Sequence, residues 1–180
     1  MFNAHYENDM TEQFKALQAF AYDPETGIVT RKMPALTGRG APNPRPRCHV
    51  GDIVGSRKKS GHLSVCFGGK EVLLHRLVWL MLHGAWPESC VDHINGDPAD
   101  NSAVNLRLAT HAQNLANRPA TKTNTTGFKN VFKDKRLGRF FAQVMCDGTL
   151  HTSCRFATPE EANTAATELR KIHHKEFAHD

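Results

Sequence analysis

The stretch from Val91 to Arg118 constrains this chain more than any other. It reads Val91-Asp92-His93-Ile94-Asn95-Gly96-Asp97, then Asn101, Asn105-Leu106-Arg107 and Thr110-His111-Ala112-Gln113-Asn114. Asn95-Gly96-Asp97-Pro98 is a turn, since Asn and Gly accept the backbone angles that a reversal needs. Thr110 and Gln113 have capping-box spacing, so a helix is expected to begin near His111. The segment therefore predicts a strand, a long loop, a short strand and a helix in succession.

That order places several polar side chains where they can do chemistry together. Phosphodiester hydrolysis needs a cation to stabilise charge on the phosphate, a base to activate water, and a rigid element to hold both. Asp92 offers a carboxylate of the kind a hard cation prefers. His93 follows it on the strand, faces the other side of the pleat and can act as a base near neutral pH. Asn114, in the first helical turn, can bring an amide oxygen to the same cation. His111 is the alternative helix ligand, and Asn101 is read as a turn former with a second loop-stabilising role open.

These residues resemble the HNH (ββα-metal) nucleases. The nearest kin are phage-type homing endonucleases that begin with aspartate-histidine and end with asparagine in place of the last histidine. The resemblance covers residues 73–118 and includes Leu74-His75-Arg76-Leu77-Val78-Trp79, which is similar to the helix leading into that family's site. It implies that Asp92 and Asn114 ligate a divalent metal, Mg²⁺ with Mn²⁺ as substitute, and that His93 is the general base. It also implies that Asn105 pins the loop and orients the base. Zinc-stapled members carry paired cysteines. Here Cys48, Cys66, Cys90, Cys146 and Cys154 are odd in number and form no C-x-x-C pair, so no structural zinc and no disulfide framework is expected. They are read as small, reduced core residues, and Trp79, Trp86 and an N-terminal sheet are left to hold the motif by packing.

The flanking chain fits a β-rich region. A short helix with a frayed start is expected over residues 1–22, carried by Phe14, Leu17 and Ala21. A turn at Asp23-Pro24-Glu25-Thr26-Gly27 leads to a strand at Ile28-Val29-Thr30. Residues 33–47 contain Pro34, Pro42, Pro44, Pro46, Gly38 and Gly40 and are expected to form an irregular, mobile loop. Strands resume at Ile53-Val54, Leu63–Phe67 and Glu71–Leu74, with Gly68-Gly69 as a hairpin turn. A helix over residues 75–83, packing Leu77, Val78, Leu80, Met81 and Leu82, stops at Gly84. His75 is read as a buried, hydrogen-bonded helix residue. Arg31, Lys32, Arg39, Arg45, Arg47, Arg57, Lys58 and Lys59 face Asp52 as the one acid between residues 28 and 60. Such a segment suits a phosphate backbone, with Arg57, Lys58 and Lys59 as candidate contacts.

Residues 119–126 form a polar linker. Beyond it, strands are expected at 128–133, 139–146 and 149–156, the second showing period-two alternation in Phe140, Ala142, Val144 and Cys146. Thr158-Pro159-Glu160-Glu161 combines an N-cap, a proline at the first helical position and a capping box. Ala162, Ala165, Ala166, Leu169 and Ile172 then form an apolar stripe. Gly127-Phe128-Lys129-Asn130-Val131, Gly138-Arg139-Phe140 and Phe156 to Ala162 resemble an AP2/ERF-type DNA-binding domain over residues 127–180. Lys129, Lys133, Lys135, Arg136 and Arg139 crowd the first hairpin, with Asp134 opposing, and Arg139 or Gln143 are placed to read base edges. Phe140, Phe132, Met145 and Cys154 depart from that family's usual residues, so no base preference carries over.

The expectation is an α+β protein: a β-rich N-terminal region leading into a ββα-metal motif (residues 1–118), then a three-stranded antiparallel sheet on one helix. Its 180 residues carry a formal net charge of +5, which agrees with a double-stranded DNA partner but does not by itself establish one. No apolar run reaches the roughly 20 residues of a membrane span and no signal peptide is read, so a cytoplasmic protein is expected. One motif per chain favours a monomer that nicks. A DNA-binding regulator with an inactive nuclease motif is the competing reading, and an RNA substrate is left open.

Overall fold

The computed structural model describes residues 4–36, 46–120 and 123–178. The chain divides into two compact units. The first holds Met1–His93 and Asp97–Leu108, the second Ile94–Gly96 and Ala109–Asp180. Among the described residues, several small sheets and four α-helices make a mixed, α+β fold.

The first unit opens with α1 (Ala4–Ala19), which runs directly into β1 (Phe20–Tyr22). A helix forms in the expected region, but it ends at Ala19, so Ala21 of the expected pattern lies in β1, and the helix packs through another face. Ala16 is fully buried, while Phe14 and Leu17 are exposed. Gln13 Nε2 donates to Met81 O at 3.1 Å, and Trp86 Nε1 donates to the Glu12 carboxylate. The Asp23-to-Gly27 turn forms as expected, with Thr26 Oγ1 donating to Asp23 Oδ2 at 2.7 Å. That bond and the Glu25 N–H hold the Asp23 carboxyl below its usual pKa. It joins β1 to β2 (Val29–Arg31), paired antiparallel with Phe20 opposite Arg31.

The described ends of the proline-rich stretch are paired strands. Its ends form β3 (Ala35–Leu36) and β4 (Pro46–Cys48), which pair antiparallel across an irregular register. Residues 37–45, with Arg39 and Arg45, lie outside the described residues. Ile53 makes only a bridge to Thr30 and is exposed, because Val54 takes the inward position.

Next come β5 (Ser56–Arg57), β6 (Leu63–Phe67) and β7 (Lys70–Leu73), an antiparallel meander in that order. Gly68 and Gly69 both have positive φ and close the β6–β7 turn. α2 (Leu74–His83) follows without a loop and ends at Gly84 in the left-handed conformation. Its buried side is Leu74, His75, Leu77, Val78, Leu80 and Met81. Leu82 is exposed, one step round the helix from the core. β8 (Cys90–His93), a 3₁₀ turn at Ala103–Asn105 and β9 (Leu106–Ala109) complete the unit, with β8 and β9 hydrogen-bonded. The core joins Ala16, Phe20, Val29, Val54, Val65, Val91 and Leu106 to α2, with Trp79 and Trp86 packed against it.

In the second unit, α3 (His111–Asn117) starts with the expected capping box, Thr110 accepting from Gln113 N and Gln113 reaching back to Thr110 N. β10 (Val131–Lys133), β11 (Phe140–Cys146) and β12 (Thr149–Thr152) form an antiparallel meander. α4 (Pro159–His173) carries the second capping box, Thr158 with Glu161, and a final 3₁₀ turn spans Lys175–Phe177. Val131 and Ala142 meet Ala162 and Ala166, with Phe128, Phe140, Phe156 and Leu169 around them. The stripe stops short of Ile172, which is exposed. Arg170 is buried in its place, donating through Nη1 to Lys129 O and through Nη2 to Thr167 Oγ1, both at 3.0 Å. All five cysteines are free thiols, but none is a core residue. Cys66 and Cys154 are exposed and the others half-buried. Among the described residues no helix is long and apolar enough to cross a membrane.

Candidate active site

The first unit gathers its polar side chains at the end of β8. Asp92 and His93 are 4% and 5% exposed, which is unusual for an adjacent acid and imidazole and demands partners. Asp92 is held by Arg107 of β9, whose Nε and Nη2 each lie 2.9 Å from Asp92 Oδ2. The short strand that follows the loop therefore returns a cation to the carboxylate. Arg107 directly follows Asn105-Leu106 in the motif, but nothing in the sequence pairs it with Asp92.

His93 faces a different set. Its Nε2 lies 3.1 Å from Asn101 Oδ1, and with an amide oxygen as acceptor the ring N–H donates. Asn101 is 1% exposed, so it is a buried orienting group as well as a turn former. Its own backbone oxygen accepts from Tyr22 Oη at 2.9 Å, across 79 positions of sequence. Burial, with Asp23 and Asp100 nearby, pushes the Tyr22 hydroxyl up to about 12, so it stays a donor at ordinary pH. Asn105 donates from Nδ2 to Asp100 O at 2.8 Å, a contact that pins the loop. Asp100 Oδ1 in turn accepts from Ser102 N and Oγ.

Two glycines explain how the loop is held from outside. Gly27 has φ +71°, and a Cβ there would lie 2.4 Å from Ser102 N and 2.6 Å from Asn101 C. Gly61 has φ +88°, and a Cβ there would meet Pro98 Cγ at 2.7 Å. The N-terminal hairpin and the β5–β6 turn thus press directly on the loop, and only a hydrogen at these positions permits it. Ala103 N donates to Pro24 O at 2.9 Å, closing the contact.

His75 and His62 complete the surroundings of His93. The His75 ring stands edge-on to His93 at a centroid distance of 5.0 Å, and His62 lies 5.7 Å from His93 and 5.2 Å from His75. Burial lowers the His75 pKa to about 3, with the neighbouring His93, His62 and Arg76 acting in the same direction. It is therefore neutral. It is buried as expected, but its Nδ1 has no hydrogen-bond partner.

The remaining sequence candidates belong to both units. Arg57 and Lys59 are exposed, while Lys58 is paired with Glu71 at 2.6 Å. In the second unit His111 is exposed and Asn114 half-buried, both on α3. Lys133, Lys135, Arg136 and Arg139 are exposed around the β10–β11 hairpin. Lys129 Nζ donates to Ala116 O at 2.8 Å and Gln143 Nε2 to Thr152 Oγ1 at 3.3 Å, so both have structural partners. Asp134, the acid opposing this cluster, pairs with Arg155 at 2.8 Å, which with the Leu137 and Arg136 N–H groups holds its carboxyl below the usual range.

With this geometry in hand, residues 72–116 match the family model described as HNH endonuclease. The segment runs from β7 through α3 and contains Asp92, His93, Asn101, Asn105, Arg107 and Asn114; this quarter of the chain is similar to an HNH endonuclease domain. The chain is also 32% identical over 117 residues to a protein of Acanthamoeba polyphaga mimivirus described as an uncharacterized HNH endonuclease, covering 62% of this chain and 59% of that one. It is 33% identical over 78 residues to "Protein 3.8" of Escherichia phage T7, covering 43% of this chain and 64% of that protein. The chain thus spans about three fifths of the length of each of these relatives. No solved structure matches.

Proposed function

We propose that the chain is a divalent-metal-dependent endonuclease that hydrolyses phosphodiester bonds in double-stranded DNA, with His93 as general base. The observation that carries this reading is the buried Asp92-His93 pair inside the matched domain, with His93 tied by Asn101. His93 donates through Nε2, so its Nδ1 carries the lone pair that takes a proton from the attacking water. Asn101, itself fixed by Tyr22, holds that tautomer and ring orientation. Arg107 steadies the Asp92 carboxylate, and Asn105 keeps the intervening loop closed. The donor chemistry fits a hard cation, since Asp92 supplies a carboxylate and Asn114 is the proposed second oxygen ligand. When bound, Mg²⁺ (or Mn²⁺ in its place) stabilises charge on the phosphate and the leaving oxygen.

The same proposal assigns residues 127–180 to DNA binding in the AP2/ERF manner. It leans on Lys133, Lys135, Arg136 and Arg139, which are exposed, with Arg57 and Lys59 adding contacts from the first unit. The viral sources of the relatives support a phage-associated enzyme, and a homing-type role belongs to the same proposal. One site per chain nicks as a monomer.

One observation favours a second reading. Arg107 occupies Asp92 as an ion pair would in a protein that holds no metal there, which suits a DNA-binding regulator with a silent nuclease motif. The two readings part in a plasmid assay. The nuclease relaxes supercoiled DNA on addition of Mg²⁺ or Mn²⁺ and stops with a chelator. Binding without cleavage under either cation would establish the regulator instead.

A further inference from the structure

We propose that His62, His75 and His93 form a second cation site, one that takes a borderline transition metal of the Zn²⁺ class and is separate in chemistry from the oxygen-lined site at Asp92. Each residue offers one ring nitrogen, and the three nitrogens lie within 4.8 Å of one another. Three converging imidazoles suit zinc, copper or nickel and not magnesium, which demands oxygen. A tetrahedral ion bound by three side chains keeps a fourth position for water.

Three further features fit a metal site better than a chance cluster of rings. The His75 side chain is more than nine-tenths buried and its Nδ1 has no hydrogen-bond partner, a state that buried nitrogens avoid. His93 Nε2 and His62 Nδ1 are each anchored to a side-chain oxygen, Asn101 Oδ1 at 3.1 Å and Ser60 Oγ at 3.1 Å. Such contacts orient a ligating imidazole through its second nitrogen. Finally, the three residues come from three separate places: the β5–β6 turn, the first turn of α2 and the end of β8. Gly61, next to His62, makes the close approach to Pro98 that fixes this turn against the loop.

The site shares His93 with the proposed nuclease centre, and that sets its consequence. A ring nitrogen bound to zinc has no lone pair to give to water. Occupancy therefore switches the base off, and zinc inhibits where magnesium activates. This consequence rests on the nuclease reading; the binding itself does not.

The test is a calorimetric titration of the intact chain with Zn²⁺ alone, with histidine ring nitrogens followed by NMR in parallel. The expected result is one high-affinity ion per chain, with ring signals of His62, His75 and His93 shifting together. His62→Gln changes a half-buried position and is expected to weaken binding at least tenfold, while Cys66→Ser, at an exposed thiol, leaves it unchanged. Shifts confined to His151, His173 or His174, equal affinity in His62→Gln, or loss of binding in Cys66→Ser would each overturn the proposal. If His62→Gln fails to fold, the ring shifts in the unaltered chain decide alone. Zinc binding at these histidines without any Mg²⁺-dependent cleavage would refute the nuclease reading and leave this site standing. Cleavage that Zn²⁺ neither binds nor inhibits would do the reverse.

Discussion

In the first unit the informative polar groups are inside, and in the second they are outside. Asp92, His93, Asn101 and Asn105 are all under a tenth exposed, and each is met by a named partner from another element or from the loop itself. In the second unit the core is alanine, valine and phenylalanine, with Asn117 and Arg170 as its buried polar residues among those described. Lys133, Lys135, Arg136 and Arg139 stand in solvent around one hairpin. The contrast fits the work proposed for each region. A base must be oriented and kept from rotating, which takes a satisfied buried network. Phosphate contacts need charge at the surface, where a few exposed side chains suffice.

The comparison predicts that the first unit breaks at its ion pair. Arg107→Leu leaves the Asp92 carboxylate buried without its cation, and is expected to cost about 3–5 kcal/mol by denaturant unfolding. A divalent cation at Asp92 should return part of that loss. A variant as stable as the parent would mean that Asp92 is not held as described.

A pair of substitutions asks whether the two cores are built separately. Gly27→Ala forces a Cβ against Ser102 and Asn101 at positive φ, and should cost on the order of 2–4 kcal/mol. Ala166→Leu overpacks a fully buried site under β11, at about 1–3 kcal/mol. Amide exchange is expected to quicken at Val91 in the first and at Val144 in the second. Equal quickening of both amides in either variant would sink the idea of two separately built cores.

The smallest effect concerns the brace on Asn101. The folded Tyr22 pKa lies near 12 against 10 when unfolded, so the native state favours the protonated hydroxyl. Its contribution is complete below pH 10 and declines as pH rises towards 12. Tyr22→Phe, at a cost of about 1 kcal/mol, should remove this alkaline decline from the stability profile. An unchanged profile would show that the hydroxyl is not a buried donor.

How much of this was legible depended on distance along the chain. Both capping boxes, the Gly68-Gly69 turn and the stop at Gly84 are local signals, and the structure repeats them within a residue or so. The sheet and helix beyond residue 127 were legible for the same reason, although the first strand begins at Val131 and not at 128, the third ends at Thr152 and not at 156, and Arg170 displaces Ile172 from the stripe. Asp92, His93 and Asn105 could be read because they share one motif. What surrounds them could not. Tyr22 reaches Asn101 from the N-terminal hairpin, and His62 and Gly27 act through turns that only packing brings near the loop. Arg107 was visible in the motif, but its pairing depends on how β8 and β9 lie together. A turn former and a buried orienting amide look alike in sequence, so the role of Asn101 shows only in the fold.

The central claim is that His93 is a base and not a packing residue. Its direct measurement is single-turnover cleavage of a DNA duplex in saturating Mg²⁺ by the parent chain and by His93→Ala, with DNA affinity and unfolding recorded on the same samples. The account predicts that the variant folds and binds DNA like the parent but cleaves about 10²–10⁴-fold more slowly. Cleavage by His93→Ala at the parental rate would contradict it.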